Sequence, residues 1–344
     1  MKHIVSFTLA VLLPVAAAIV SCNSFREPEM IFDTDMGNDV DDALALDMLY
    51  KYMDAGKISL AAIMLSKEGP AAPEFLDVMG TWYGYPDIPV GIIRDGADCG
   101  PDSLNYTRKV LDMKAPDGSP LFARSRSCYE DLPESVDLYR QVLSRAANKS
   151  VTIVSVGFFT NLARLLESAP DRHSRLTGRE LVARKVAGLF VMAGNVADTT
   201  FAEYNIVKDI PSAAKVFAGW PGPIVISPFE LGAGIKYPAS SIENDFQWAG
   251  SHPAVEAYRS FLEMPYDRET WDLTAVLAAV EKEDTTGYFT LSPEGSVTVT
   301  DGGTMIFKEG EGNRRYLYAT PEQAEKIRAR LMSLVTCPPA SRNQ

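Results

Sequence analysis

The chain has 344 residues, 46% of them hydrophobic and 23% charged, enough apolar matter to bury a large core and no sign of disorder outside the two ends. A formal net charge of -12 argues against a nucleic-acid polymer as partner, because a phosphate backbone rewards clustered Lys and Arg and the chain has no such cluster. One large α/β domain acting on a small neutral or cationic ligand is the expectation.

The N-terminus has the layout of an export signal. Met1-Lys2-His3 supplies positive charge, residues 4–20 form a mostly apolar run, and Ile19-Val20-Ser21-Cys22 resembles the lipobox of bacterial lipoprotein precursors. This reading divides the chain into a signal peptide (1–22, with Cys22 lipidated), a polar tether (23–29), a folded domain (30–337) and a tail (338–344). It places the protein in a bacterial cell envelope, held to the membrane by lipid alone, since no other segment is apolar enough to span a bilayer. An ordinary secreted protein or an uncleaved anchor is the alternative. Three further cysteines remain, Cys99, Cys128 and Cys337; Cys99 and Cys128 share a loop-rich segment and could pair in an oxidising compartment.

Strands and helices alternate after the tether. A strand begins at Ile31, followed by a helix at 42–52, a strand at 59–65, a helix at 72–83 and a strand at 90–93. Residues 94–133, rich in Asp, Gly, Pro and Ser, read as one long surface excursion of the sort that covers a site. The alternation resumes with a helix at 134–147, a strand at 151–156, a helix at 160–168 and strands at 187–192 and 223–227. This pattern predicts a mostly parallel, Rossmann-like open sheet with helices on both faces. In such sheets, sites gather at the carboxyl ends of strands. Asp33 to Asp42, Val156-Gly157, Met192 to Asn195 and Ser227 to Glu230 all fall just past strands. Residues 287–318 suggest a small antiparallel appendage.

Five aspartates, Asp33, Asp35, Asp39, Asp41 and Asp42, stand between an apolar run and a helix-like one. Carboxylates so crowded raise one another's pKa, and a hard divalent cation neutralises them most readily. A solvated acidic turn is the plainer reading, but Met30-Ile31-Phe32 and Ala43-Leu44-Ala45-Leu46 look buried and make the turn short. An EF-hand loop starting at Asp33 needs Gly and Glu where Asn38 and Leu44 stand. A haloacid-dehalogenase-like phosphatase usually has Thr or Val where Gly37 stands.

The order Asp33-Thr34-Asp35, Gly37, then Asp41-Asp42-Ala43 resembles the calcium-binding signature of the inosine-uridine-preferring nucleoside hydrolase family. The resemblance covers residues 30 to about 335. Residues 151–162 are similar to the family's strand, Gly-turn and Thr-Asn helix; Ala202-Glu203-Tyr204-Asn205 is similar to its Ala-Glu-Phe-Asn; Trp271-Asp272 falls where the family has His-Asp. The resemblance implies the nucleoside hydrolase fold and a Ca2+ ion held by Asp35, Asp42, the Val156 carbonyl and Asp272. It implies Asp35 as general base, with Asn195, Glu203, Asn205, Trp271 and Asp41 around a small riboside substrate and a homo-oligomer, dimer or tetramer, as the assembly. Without the resemblance, Glu203 and Asn205 read as a helix cap and a turn.

Two departures stand out. Three residues, Asn38-Asp39-Val40, intervene where the family usually has one, so Asp33 and Asp39 carry no assigned role. Trp271 replaces a His that protonates the departing base, and an indole has no proton to give near neutral pH. Tyr266, Asp267 and Arg268 are the nearby candidates for that task, as is Trp271 itself by stacking on an aromatic base, whereas His173 reads as a surface residue and His252 as a helix start. Hydrolysis of ribonucleosides in salvage is the leading expectation. Riboside binding with faded catalysis, and hydrolysis of another N- or O-glycoside, stay open beside it; Lys67-Glu68-Gly69, where the family tends to have Gly-Asn, favours the last.

Overall fold

A computed structural model describes residues 27–98, 105–281 and 285–340. The signal peptide, most of the tether, Cys99 with its pairing to Cys128, and the last residues of the tail lie outside the described residues.

Six parallel strands form the centre: β1 (Glu29–Thr34), β2 (Ser59–Leu65), β3 (Val90–Gly91), β4 (Val151–Ser155), β5 (Val186–Met192) and β6 (Ile224–Ser227). Their order in space is β3-β2-β1-β4-β5-β6. Helices cover both faces, so the central strands read as nearly continuous apolar runs, and every residue of β4 is buried. One face packs on helices Asp41–Asp54, Ala71–Tyr83, Trp271–Val280 and Pro321–Thr336 through Leu44, Met48, Phe75, Val276 and Leu331. The other packs on Ser135–Arg145, Thr160–Glu167, Gly178–Lys185 and Ile210–Gly219 through Leu138, Leu162, Leu181 and Val216. The chain builds outward from β1 to β3, returns to place β4 on the other side of β1, and then builds outward again. The strand order therefore reverses between β1 and β4, which opens a crevice at their carboxyl ends.

Two short strands, β7 (Lys236–Tyr237) and β8 (Arg268–Glu269), pair antiparallel by themselves. The expected antiparallel appendage is present as β9 (Thr290–Leu291), β10 (Gly295–Val299), β11 (Met305–Glu309) and β12 (Arg314–Tyr318), and it continues the main sheet rather than standing apart. β12 runs parallel to β6, with Arg314 opposite Ile224. The buried Arg314 guanidinium fixes this union by donating to the carbonyls of Phe217, Trp220 and Gly222. Strand periodicity alone carries no information on such a partner.

The excursion at 94–133 is less loose than its composition suggests. It contains the helix Tyr106–Leu111, and Gly37 N–H donates to the Tyr106 hydroxyl at 3.0 Å. The excursion thus braces the aspartate loop from outside; none of its described residues lines the pocket above that loop. No described helix is long and apolar enough to cross a membrane.

Candidate active site

The aspartate loop leaves β1 at the point of strand-order reversal. Gly37 sits at φ +105°, a backbone conformation that favours glycine, and the chain turns there into the helix Asp41–Asp54. Asp41 and Asp42 occupy its first turn, and Asp272 occupies the first turn of Trp271–Val280. Two helix N-termini, the ends that favour negative charge, therefore meet at one place. Oxygens of Asp41, Asp42 and Asp272 lie within 4.8 Å of one another.

Asp41 and Asp42 are each held by a neighbour. The Thr34 hydroxyl donates to Asp42 Oδ1 and accepts the Met36 amide at 3.1 Å. Asp272 N–H donates to Asp41 Oδ2 at 3.0 Å. Asp35 Oδ2 is buried and has no hydrogen-bond partner among the described residues. Asp33 points elsewhere: its Oδ2 accepts from the Tyr139 hydroxyl at 2.8 Å and from Asn161 at 3.2 Å, beneath the sheet's other helical layer. Just beyond β4, Gly157 passes so close that a Cβ would stand 2.5 Å from the Asp35 nitrogen. This approach presents the Val156 carbonyl to the pocket, where it accepts from Asn205 Nδ2 at 2.9 Å.

Burial raises all of these acids. Asp35 is pushed up to about 7, chiefly by desolvation, against the pull of the Lys67 ammonium. Asp41, Asp42 and Asp272 are held well above the usual carboxylate range, first by burial and then by neighbouring carboxylates: Asp39 for Asp41, Asp35 and Asp41 for Asp42, and Asp41 and Asp42 for Asp272. Such a group of acids is unfavourable without a cation. An all-oxygen, carboxylate-rich donor set with an unpartnered buried oxygen suits a hard divalent ion, so the residues fit a metal.

Asp35, Asp41, Asp42, Val156, Glu203, Asn205, Trp271 and Asp272 share the wall of one pocket of about 510 Å³. Glu203 caps the helix Tyr204–Lys208, accepting from the amides of Asn205 at 2.8 Å and Ile206 at 3.3 Å, and it also accepts Gly194 N–H at 3.0 Å. The cap reading and the pocket reading hold for the same side chain. Asn195 does not line the pocket; its Oδ1 accepts the Asp198 amide at 2.7 Å and closes the turn after β5. Phe229, from the segment Ser227 to Glu230 expected past a strand, lines the pocket, as do Asp39, to which no role was assigned, and Phe201 and Phe261, which no sequence signal marked. Phe229 stacks on Trp271 at 5.3 Å and Phe201 packs on Phe229 at 4.6 Å. These aromatics come from distant segments, and only the fold brings them together.

A family model described as inosine-uridine preferring nucleoside hydrolase matches residues 30–329. No curated protein matches the chain in sequence. Among solved structures the chain is similar to a purine-preferring ribonucleoside hydrolase from Gardnerella vaginalis, with 16% identity, 90% of this chain and 99% of that one covered, and a TM-score of 0.67. It is similar also to a plant nucleoside hydrolase, at 18% identity, coverages of 90% and 99% and a TM-score of 0.64. An inosine-uridine preferring nucleoside hydrolase from Bacillus anthracis gives 14% identity, coverages of 88% and 98% and a TM-score of 0.62. At these identities the likeness is one of fold.

Proposed function

The chain belongs to the inosine-uridine-preferring nucleoside hydrolase family, hydrolases of N-glycosyl compounds, and from that membership we propose that it cleaves the N-glycosidic bond of ribonucleosides with the help of calcium. The observation that carries this reading is the convergence of Asp41, Asp42 and Asp272 beside the unpartnered Oδ2 of Asp35 in one pocket.

Asp35, Asp42, Asp272 and the Val156 carbonyl would hold the ion, and Asp41 would set Asp272 through its amide. A bound calcium supplies a grip on two vicinal sugar hydroxyls and a water made more acidic. Asp35 is the base for that water: its Oδ2 is the buried oxygen not used by the protein. Glu203, whose carboxylate also accepts the Gly194, Asn205 and Ile206 amides, and Asn205 take the ribose hydroxyls. Asn195, with its oxygen already engaged, shapes the turn that carries Glu203 toward the sugar. An aromatic base lies against the ring wall of Phe229 and Trp271, whose indole N–H is already donated to the Phe229 carbonyl at 3.0 Å. Attachment to the cell envelope through a lipid on Cys22, a dimeric or tetrameric assembly and a place in nucleoside salvage belong to the same proposal.

The test uses the protein lacking residues 1–22, with p-nitrophenyl riboside, inosine and uridine as substrates, each with calcium and with a chelator. Calcium-dependent turnover of the nucleosides is expected. Calcium binding without turnover of any riboside would overturn the assignment.

A further inference from the structure

A base that leaves ribose without a proton carries the bonding electron pair away as an anion, so something must stabilise that charge as it forms. The other side chains near Trp271 that are candidates for that task are engaged elsewhere. Trp271 gives its N–H to the Phe229 carbonyl, the Tyr266 hydroxyl donates to the Tyr258 carbonyl at 2.5 Å, and Asp267 accepts the Ala239 amide at 2.9 Å. Neither histidine lines the pocket: His173 pairs with Asp137 at 3.1 Å, and His252 is buried beside Asp47 and Trp82.

Arg268 is the one cationic side chain among the described residues of the lining. Its Nε donates to Asp39 Oδ1 at 2.9 Å, its Nη2 to Asp39 Oδ2, and its Nη1 lies 3.2 Å from Glu269 Oε2. The guanidinium centre stands 5.1 Å from the Phe261 ring and 5.2 Å from the Trp271 ring. A guanidinium has five N–H groups, and these contacts use three, leaving one on each Nη. It stays protonated and so cannot act as an acid, but it can donate hydrogen bonds to charge as that charge develops. Flanked by two carboxylates, it exerts little net pull on a neutral substrate, and its benefit is confined to the departing anion.

Both departures from the family's pattern meet at this pair. Asp39 lies among the residues that lengthen the aspartate loop, and Arg268 lies three residues before the Trp that replaces His. Asn38, also from the lengthened part, accepts the Tyr204 hydroxyl at 3.1 Å, so the loop is tied to both walls.

Resting on the nucleoside-hydrolase reading above, we infer that Arg268, held in place by Asp39, donates its remaining Nη hydrogens to the leaving group in place of protonation. The benefit rises with the basicity of the departing anion and is least for an aglycone that leaves readily unprotonated. In the step, the C1′–N bond breaks and its electron pair goes to the base; water gives hydroxide to C1′ and a proton to Asp35. Solvent then protonates the base, and Asp35 returns its proton to solvent.

The experiment compares the protein lacking residues 1–22 with its Arg268→Met and Arg268→Lys variants on aryl ribosides of graded leaving-group pKa, and on inosine, uridine and adenosine. For Arg268→Met, kcat/KM on inosine and uridine should fall about 10²-fold, the usual effect of losing one such donor. The loss should grow with leaving-group pKa and be least for p-nitrophenyl riboside. Arg268→Lys, which keeps the charge without the fork, should recover part of it, and it carries the same test if the Met variant does not fold. An equal loss on every substrate would make Arg268 a brace for the loop and overturn the inference alone. A parent protein that cleaves no riboside would overturn the nucleoside-hydrolase reading and this inference with it.

Discussion

The backbone N–H of Asp272 donates to Asp41 Oδ2 at 3.0 Å, although 231 residues separate the two in the chain. This bond joins the first turns of two helices, and with them the two ends of the carboxylate cluster. Asp41 is therefore placed to orient Asp272 as well as to lend its own charge.

Replacing Asp41 by Ala removes that orientation and one negative charge beside the ion. Loss of a partner that orients a ligand typically costs about 10- to 100-fold in metal affinity. Calcium affinity of Asp41→Ala, read by titration calorimetry, should fall by at least that much, and unchanged affinity would remove Asp41 from the site. Asp42→Ala should weaken binding further, because it removes a ligand rather than its support.

Asp33 and Asp35 are both pushed up to about 7, chiefly by burial. An unfolded Asp titrates near 3.9, so between about 4 and 7 the folded, metal-free chain holds protons that the unfolded one has released. Their contribution to stability is full below about pH 4 and is lost as pH rises through about 7. Urea midpoints of the chelated protein should therefore fall from pH 5 to pH 8. Calcium should restore the midpoint most at the upper end, where the carboxylates are charged. A chelated protein equally stable at both pH values would contradict this account.

Much of the architecture was legible because parallel strands buried on both faces leave continuous apolar runs, as in residues 151–155, and because Asp33 to Asp42 follows such a run directly. The pocket's other side was less so. Phe229 was legible only by its place just past β6, whereas Phe261 ends a helix and has no neighbour in sequence that marks it as a site residue. The helix Tyr106–Leu111 was hidden because its first turn is capped by Asn105 within a stretch rich in turn residues. The union of β12 with β6 depends on Arg314, a charged residue that no hydrophobic pattern places in a core.

Gly157 is a close-approach glycine. An added Cβ would meet Ser66 Oγ at 2.4 Å and the Asp35 nitrogen at 2.5 Å. The serine side chain can turn away, but the Asp35 backbone cannot move without moving the base. Gly157→Ala should destabilise the fold by about 1–3 kcal/mol, the usual cost of an overpacked site. Its calcium affinity should fall as well, whereas a thermal shift with unchanged calcium affinity would show that Asp35 had stayed in place.

Glu203 has two tasks, and substitution separates them. Its carboxylate caps the helix Tyr204–Lys208 and also holds Gly194, so both oxygens are engaged by the backbone. Glu203→Gln keeps one acceptor and turns an amide N–H2 toward a backbone donor. Losing part of a cap costs about 1 kcal/mol, and the mispaired amide adds to it. Activity should suffer more than stability, because a buried partner left unpaired against a sugar hydroxyl is selective by about 10²-fold or more. The comparison that decides is kcat/KM on p-nitrophenyl riboside against the 2-deoxy analogue. If the variant loses activity equally on both sugars, Glu203 serves only as the cap, and the ribose hydroxyls are read by other groups.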